Sequence, residues 1–399
     1  MKAFFVYLLA ICTALMLTSC QLGDGGSSAP PPTDVAVVPG DGVVTATWTM
    51  SPGVDYWIFY APASSITTGN WTTLPGAQSH MSISSPYVVT GLVNGTTYSF
   101  TIDGRINGGP SGGGSPSVSA VPRLAGATWI TGASTGAGDL RGVTYGTTFV
   151  AVGANGIVLS SSDGKTWMTQ NSGVSTQLNA AVYGGSYLAA GAGGTILTSA
   201  DAVTWTPQTS GTSNDIYGLA ANGSFYVAVG SNGTIITSSG GASWVPASSV
   251  PAAPALYGIA YGNGRYVAVG AGGTVLTSAD ASTWQSVAQL TSNDLKGVAY
   301  GNGTFVATGA AGTILTSTDG LTWTLQTSIT SNPAINAVIY GTQFVAVGDG
   351  GAIFTSADGV DWTAPVSVAP SNGNKLYAIA HGNYGYAAVG SAGTNLTAY

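Results

Sequence analysis

The chain has 399 residues and a formal net charge of −7, which comes from 15 aspartates, four arginines, four lysines and no glutamate. Nucleic-acid binding depends on clustered Lys and Arg side chains, so this composition argues against a nucleic-acid partner. It also argues against electrostatic binding to anionic lipid. Because charged residues make up only 6% of the chain, Ser, Thr, Asn, Gly and Tyr must cover most of the surface, as in extracellular β proteins.

The N-terminus has the parts of a secretory signal. Lys2 supplies a positive charge, and residues 4–17 form an apolar run that is shorter than the roughly 20 residues of a membrane span. The sequence Leu17-Thr18-Ser19-Cys20 resembles the lipobox of bacterial lipoproteins. This resemblance implies that residues 1–19 are removed and that a lipid is attached to Cys20. The alternative is an ordinary signal peptide with a chance cysteine.

A flexible tether is predicted over residues 20–33, because a Gly/Ser/Pro-rich stretch cannot bury a core. Gln21, directly after the cysteine, resembles the pattern of lipoproteins sent to an outer membrane. We therefore expect a lipid-anchored protein of the bacterial cell envelope, at the outer membrane or cell surface, that contacts the membrane through its lipid alone. Cys12 leaves with the signal, so the mature chain would hold one cysteine and no internal disulfide.

A β-sandwich is predicted over residues 34–122. Residues 43–49 alternate in the manner of a half-buried strand, and residues 56–60 form a second aromatic and β-branched run. Residues 91–102 resemble the tyrosine-corner segment of fibronectin type III domains. This resemblance implies that the hydroxyl of Tyr98 bonds to the backbone, and that the domain serves as a spacer.

Repeats fill residues 123–399. A Gly-x-x-Gly step occurs seven times, at Gly153, Gly191, Gly230, Gly270, Gly309, Gly348 and Gly390. A tryptophan recurs every 38 to 40 residues, at Trp129, Trp167, Trp205, Trp244, Trp284, Trp323 and Trp362. A period near 40 with several short strands per repeat is typical of a β-propeller. We therefore predict an all-β protein with seven propeller blades.

The last repeat stops after three strands and has no tryptophan of its own. Residues 127–130, at the other end of the repeat region, have the pattern of the missing fourth strand. We predict that this strand joins the last repeat, so that exchange between the two ends closes the ring and removes an exposed sheet edge.

An aspartate precedes the tryptophan by four residues in five of the repeats. These residues are Asp163, Asp201, Asp280, Asp319 and Asp358. The turns resemble the Asp-box, or BNR, repeat of sialidases, sortilin-like receptors and the photosystem II assembly factor family. The resemblance implies that each carboxylate caps turn amides, although the usual box has one residue more and the third repeat has Gly240 at this place. Because catalysis needs a residue once, repetition favours a structural role.

No catalytic pattern is present. The resemblance to sialidases would require three arginines and a glutamate-activated tyrosine, but the repeats hold only Arg141 and Arg265, and the chain has no glutamate. The candidate carboxylates outside the repeated turns form no recognisable pair; these candidates are Asp215, Asp294 and Asp349. His80 and His381 fall in different domains, and His381 takes a place held by tyrosine in most repeats. We predict no catalytic residue, no metal site and no cofactor.

One repeated position varies as a binding surface would. It follows the first apolar residue of each predicted inner strand and is occupied by Arg141, Asn179, Tyr217, Tyr257, Lys296, Asn336 and Tyr377. In a propeller these residues should surround one mouth of the central channel. Three tyrosines with amide and cationic neighbours suit a sugar or a peptide. The alternative is that this position faces solvent and that its residue type varies because no function constrains it.

The sequence thus favours a non-enzymatic cell-envelope lipoprotein whose propeller binds or scaffolds a protein or glycan partner. The alternative is a secreted polysaccharide-active enzyme, either a glycoside hydrolase or a lyase, built on the same scaffold. The missing Glu and the scarce His and Arg disfavour it.

Overall fold

The computed structural model describes residues 26–123, 126, 128–133, 135–327, 333–364, 367–368, 373–383 and 385–398. The chain divides into two compact units, residues 1–123 and residues 124–399. Cys20 and the predicted signal lie outside the described residues. Within them, no helix is long and apolar enough to cross a membrane.

The first unit consists of eight strands in two antiparallel sheets. In chain order they are β1 (Ser27–Ala29), β2 (Ala36–Pro39), β3 (Val44–Thr47), β4 (Asp55–Ala61), β5 (Gln78–Ile83), β6 (Tyr87–Val89), β7 (Tyr98–Ile106) and β8 (Val118–Ala120), with a 3-10 turn at Trp71–Thr73. One sheet has the order β1-β7-β4-β5, with β8 also paired to β7, and the other has the order β2-β3-β6.

The two sheets share one core because their strands alternate as the sequence predicts. Val44 and Ala46 of β3 pack with Ile58 of β4 and Phe100 of β7, and all four are fully buried. The Tyr98 hydroxyl accepts the predicted hydrogen bond, from the backbone N–H of Val93 at 3.3 Å. The fibronectin type III assignment itself remains a prediction.

The predicted tether is too long at its C-terminal end. Residues 27–29, which fall within it, form β1 and pair with Gly104–Ile106 of β7. Ala29 is buried, and the strand can approach because Gly109 has no side chain: a Cβ there would overlap the backbone of Gly26. The composition of the segment is that of a linker, but backbone pairing to an existing sheet edge does not depend on large side chains.

The second unit contains strands β9 to β36. The first strand is β9 (Thr128–Thr131). Four sheets follow, made of β10 (Leu140–Tyr145), β11 (Phe149–Gly153), β12 (Val158–Ser161) and β13 (Met168–Gln170); β14 (Leu178–Tyr183), β15 (Tyr187–Gly191), β16 (Ile196–Ser199) and β17 (Thr206–Gln208); β18 (Ile216–Asn222), β19 (Phe225–Gly230), β20 (Ile235–Ser239) and β21 (Val245–Pro246); and β22 (Leu256–Gly262), β23 (Arg265–Gly270), β24 (Val275–Ser278) and β25 (Gln285–Ser286). Each of these sheets is a meander of four antiparallel strands.

The remaining strands form three more sheets. They are β26 (Leu295–Gly301), β27 (Thr304–Gly309), β28 (Ile314–Ser317) and β29 (Thr324–Leu325); β30 (Ile335–Tyr340), β31 (Phe344–Gly348) and β32 (Ile353–Ser356); and β33 (Ser367–Val368), β34 (Leu376–Gly382), β35 (Gly385–Gly390) and β36 (Asn395–Ala398), which are joined by β9. In the sixth repeat, the predicted fourth strand is reduced to a bridge between Thr355 and Thr363.

The core of the second unit lies between neighbouring sheets. Val152 of the first sheet packs with Leu178 and Trp205 of the second, for example, and an equivalent cluster joins each successive pair. A further cluster joins the last sheet to the first through Leu140 and Val389. The innermost strands β10, β14, β18, β22, β26, β30 and β34 also contact one another in that order, and β34 contacts β10.

The last sheet combines strands from both ends of this unit. Strand β9 pairs antiparallel with β36, with Thr131 opposite Leu396 and Ile130 opposite Thr397, and parallel with β33. Trp129 is only 1% exposed and lies 6.2 Å from the ring of Tyr386. Its indole N–H donates to the carbonyl of Gly126 at 2.9 Å.

The two glycines of the Gly-x-x-Gly step are required for different physical reasons. The second glycine has a positive φ, as expected, for example 75° at Gly273. The first does not need one: Gly270 is extended, with a φ of −164°. It must be glycine because a Cβ would overlap the carbonyl oxygen of Ala255, the residue before β22.

Candidate ligand-binding mouth

The seven variable residues predicted for the mouth occupy one unusual backbone position. In every innermost strand, pairing to the second strand shifts by one residue at this point. In the first sheet, Leu140 faces Gly153 and Gly142 faces Val152, so Arg141 is left without a partner. A β-bulge of this kind bends a strand and redirects the unpaired side chain. No pattern in the sequence indicated the bulge itself.

The residues on either side of the bulge are fixed by packing. The residue before it is fully buried in each strand, as Leu140 and Leu256 illustrate. The residue after it is always Gly or Ala, because neighbouring strands meet there: a Cβ on Gly258 would lie 2.9 Å from the carbonyl oxygen of Lys296. The bulge residue is thus free to vary where its two neighbours are not.

All seven bulge residues line one cavity of about 410 Å³. We call this cavity the mouth; its lining consists of Arg141, Gln177, Asn179, Tyr217, Tyr257, Asp294, Lys296, Asn336 and Tyr377. The sequence analysis missed Gln177 and named Asp294 only as a candidate carboxylate, not as part of the mouth. Both lie two residues before a bulge residue, at a second variable position whose pattern could have indicated them.

Two tyrosines form an aromatic arc at the mouth. The rings of Tyr217 and Tyr257 lie 5.7 Å apart and are tilted by 48°. The Tyr217 hydroxyl donates to a carboxylate oxygen of Asp215 at 3.4 Å. Burial raises the pKa of Tyr217, and the charge of Asp215 raises it further. Burial and then the charge of Asp294 raise the pKa of Tyr257. Both side chains are therefore neutral hydrogen-bonding aromatics at physiological pH.

The arginine at the mouth already has a counter-ion. Its guanidinium donates to Asp139 at 2.8 Å and lies over the ring of Tyr377, 4.3 Å from the centroid. Its Nε is buried without a hydrogen-bond partner. Arg141 is therefore held in place by one ion pair and one cation–π contact, and its charge is compensated.

The lysine at the mouth is held differently. The Lys296 ammonium donates to the amide oxygen of Asn336 at 2.9 Å. The amide nitrogen of Asn336 in turn donates to Asp349 and to the carbonyl of Leu376, both at 2.9 Å. Burial opposes ionisation of Asp349, but hydrogen bonds from Asn336 and Lys375 leave its pKa below the usual value. The orientation of Asn336 is thus fixed, with its oxygen towards Lys296.

Three aspartates near the mouth tie neighbouring sheets together. Asp215 accepts a hydrogen bond from the backbone N–H of Gly193 at 2.8 Å, and Asp294 accepts one from Gly272 at 2.8 Å. Asp139 accepts one from Ala392 at 3.1 Å, across the junction between the last sheet and the first. Since each donor belongs to the preceding sheet, these carboxylates stabilise the packing of successive sheets.

The five turn aspartates lie at the opposite end of the sheets, in the turns between third and fourth strands. Their shared geometry is clear at Asp201, which accepts backbone hydrogen bonds from Val203 and Thr204 at 2.9 and 2.8 Å and a third from Ser199. Asp163, Asp280, Asp319 and Asp358 accept the equivalent bonds. Those from Thr204 and Val203 lower the pKa of Asp201 to about 2.

The two histidines pack against aromatic rings. His80 stacks on Tyr60 in the first unit, with ring centroids 5.8 Å apart. His381 lies 4.6 Å from Tyr386 in the second. Among the described residues, no group of three or more His, Cys, Asp or Glu is arranged to hold a metal ion.

Comparison with known proteins identifies the fold. No protein-family model and no curated protein matches the chain. Among solved structures, YCF48 from Cyanidioschyzon merolae is similar at 19% identity and a TM-score of 0.54, covering 68% of this chain and 99% of its own. The WD40 β-propeller domain of Doa1 is similar at 14% identity and a TM-score of 0.54, covering 68% and 97%. The second unit is a β-propeller.

Two further structures match the same share of the chain. A streptogramin B lyase is similar to the propeller at 12% identity and a TM-score of 0.59, covering 68% of this chain and 97% of its own. A YCF48 bound to D1 peptide is similar at 17% identity and a TM-score of 0.56, covering 68% and 96%. At these identities the likeness shows the propeller fold alone.

Proposed function

We propose that this protein is a non-enzymatic binding or scaffolding lipoprotein of the bacterial cell envelope, and that the mouth of its propeller holds a protein or glycan partner. One observation carries the proposal. Seven successive bulges direct the most variable side chains of the repeats into a single cavity, whereas their immediate neighbours are restricted to buried or small residues. Concave sites with aromatic and polar side chains are the usual ligand sites of proteins.

The hydrogen bonding at the mouth favours binding over catalysis. A glycoside hydrolase needs two free carboxyl groups, one of them with a raised pKa. Asp215 and Asp294 instead accept backbone amides of a neighbouring sheet, and the pKa of Asp349 is lowered. The alternative of a polysaccharide-active enzyme therefore lacks a carboxyl group suited to donate a proton.

The similar YCF48 that is bound to a D1 peptide supports a propeller that binds a protein. Its identity of 17% does not carry its partner over to this chain. A protein and a glycan therefore remain the two candidate partner classes for the mouth.

We propose further that the propeller has seven blades and is closed by strand exchange through β9, and that the first unit is a fibronectin type III-like spacer. The sheet order and the pairing of β9 with β36 support this architecture. In this proposal Cys20 carries the lipid, and no nucleic acid is among the partners.

The anchor can be tested with Cys20→Ser. Without the thiol no lipid can be attached, so the variant should accumulate as an uncleaved precursor or as a soluble protein. Fractionation of cells after a salt wash measures this. If Cys20→Ser still partitions with membranes as the wild type does, the lipid anchor is wrong.

The binding site can be tested by capture. The mature chain, immobilised, is exposed to envelope extract and to a glycan array, beside Tyr217→Ala/Tyr257→Ala and a control, Leu321→Ala/Leu325→Ala. The control leucines are 43% and 50% exposed and lie away from the mouth. A true partner should be retained by the wild type and the control and lost by the mouth variant. Equal retention by all three would place the site elsewhere.

A further inference from the structure

The mouth has a chemical asymmetry that narrows the class of ligand. Tyr217 and Tyr257 lie on β18 and β22, side by side. Lys296 lies on the next strand, β26, and lines the same cavity. The strands of Tyr257 and Lys296 are in close contact, since a Cβ on Gly258 would lie 2.9 Å from the Lys296 carbonyl oxygen. Aromatic side chains and a lysine side chain therefore line the same cavity from neighbouring strands.

Lys296 differs from Arg141 and Lys375 in having no direct ion pair in the described part of the chain, although its charge helps to lower the pKa of Asp349. Arg141 pairs with Asp139, and Lys375 pairs with Asp349 at 2.9 Å. Lys296 forms no ion pair with any carboxylate in the described part of the chain, and donates instead to the neutral amide oxygen of Asn336. An ammonium group has three donors, so two remain for a ligand.

This arrangement is notable because the chain is acidic. There are 15 aspartates and only four lysines, and Asp294 lies two residues from Lys296, yet its carboxylate accepts the N–H of Gly272 instead. Asn336 is fixed by two further hydrogen bonds, so it holds the ammonium group without neutralising it. The Asp349 carboxylate behind Asn336 offsets part of this positive charge, but the two remaining ammonium donors bond to no carboxylate among the described residues.

The lining also separates a sugar from an apolar peptide. No aliphatic side chain lines the mouth; the lining is tyrosine, amide and charged groups. Protein anchors are typically large side chains that fill desolvated pockets. The mouth itself offers no such apolar pocket, although an adjoining cavity that shares its seven bulge residues also includes Val143, Leu219 and Ile259. Tyrosine rings beside amide donors and acceptors suit a pyranose ring, which presents apolar C–H groups on its faces and hydroxyl groups around its edge.

We propose that the mouth binds an acidic saccharide, with the carboxylate of a uronic-acid residue on the Lys296 ammonium and its pyranose ring against Tyr257. This inference rests on the proposed function, because it names the ligand of the same mouth. An acidic peptide is the competing ligand class, and the experiment includes it as an outcome.

The experiment compares saccharides that carry a free carboxylate with the same saccharides after the carboxylate has been esterified. Trimers of galacturonate, mannuronate and glucuronate, and the methyl ester of each, are titrated calorimetrically into the mature protein at 0.15 M salt. At least one acid should bind about tenfold or more tightly than its ester, because a hydrogen bond to a charged group is lost on esterification. Lys296→Met should remove that difference, and Lys296→Arg should retain most of it. Lys165→Met, whose lysine is exposed in the turn before Trp167, should behave as the wild type.

The outcomes separate this inference from the proposed function. If no acid binds, or if acid and ester bind equally, the acidic-saccharide inference is overturned. The proposed function still stands in that case if a partner protein or an acidic peptide is retained by the wild type and lost by Tyr217→Ala/Tyr257→Ala. Tyr257→Ala should weaken acid and ester alike, because the ring contacts the sugar rather than its charge.

Discussion

At the scale of single residues, position within a bulge separates the variable side chains from the constant ones. Tyr257 can vary among the repeats because it has no pairing partner in the sheet, whereas Leu256 is fully buried and Gly258 touches the next strand. Variation at Tyr257 is therefore not restricted by strand pairing, and the same holds at the other six bulges.

The turn aspartates predict a pH dependence at this scale. The folded-state pKa of Asp201 is about 2, below the ordinary value of 3.8. Its contribution to the free energy of unfolding should therefore be complete above about pH 4 and disappear as the pH falls through about 2. Asp201→Ala should be less stable than the wild type at pH 7, and the difference should vanish near pH 2. Denaturant unfolding at a series of pH values measures it.

Asp201→Asn is the matched control for this prediction. Its amide oxygen can still accept the N–H groups of Val203 and Thr204 but does not titrate, so its stability should change less than that of the wild type below pH 4. A stability difference between Asp201→Ala and the wild type that stays constant down to pH 2 would contradict the capping role.

At the residue level, the sequence could locate the positions where a side chain repeats with a reason. The five aspartates and the variable position were visible because neighbouring repeats could be aligned. The two hydrogen bonds that orient Asn336 were not visible, since they depend on contacts between sheets. The pairing of residues 27–29 with β7 was also missed. It uses backbone hydrogen bonds, which do not require particular residue types and so cannot be recognised from composition.

At the scale of elements, two features shape the Gly-x-x-Gly turn. Its first glycine lies close to a backbone carbonyl, and the residue two places later has a left-handed conformation. Its first glycine, at Gly270, faces the carbonyl of Ala255. The residue two places later is left-handed but open: Gly272 has a φ of 60° and no atom near its Cβ position. Other repeats place alanine there, as at Ala311 and Ala392, both with positive φ. The two positions should therefore respond differently to the same substitution.

We predict that Gly270→Ala is strongly destabilising and that Gly272→Ala is mild. The added methyl group of Gly270→Ala overlaps a backbone oxygen, and overpacking of a rigid site costs about 1–3 kcal/mol or more. Gly272→Ala adds only the strain of a left-handed alanine, about 1 kcal/mol. Thermal unfolding of both variants measures the contrast, and equal melting temperatures would show that the close approach is not limiting.

Strand β9 supports a second prediction at this scale. Trp129 is 1% exposed and packs within the core between the last two sheets, so Trp129→Ala should lower the free energy of unfolding by about 3–5 kcal/mol. Ile130→Ala, on the same strand but 36% exposed, should have little effect. If both variants unfold like the wild type, β9 does not close the propeller.

At the scale of the whole molecule, two units with separate cores carry different roles in our proposal. The repeat period predicted the sheets of the propeller and the position of β9, because each repeat must bury the same face against its neighbour. The mouth was predicted as a ring of residues but not as a cavity in which one cation lacks a direct ion pair, since charge pairing is decided by side-chain contacts across sheets.

The central claim is that the mouth is the binding site, and a titration of the captured partner tests it most directly. Dissociation constants are measured for the wild type, Tyr217→Ala/Tyr257→Ala and Leu321→Ala/Leu325→Ala, together with their melting temperatures. Loss of aromatic anchors costs about 2 kcal/mol or more, which is about thirtyfold in affinity. We predict at least that loss for the mouth variant alone, with melting temperatures nearly unchanged. An affinity equal to that of the wild type in a fully folded mouth variant would contradict the claim.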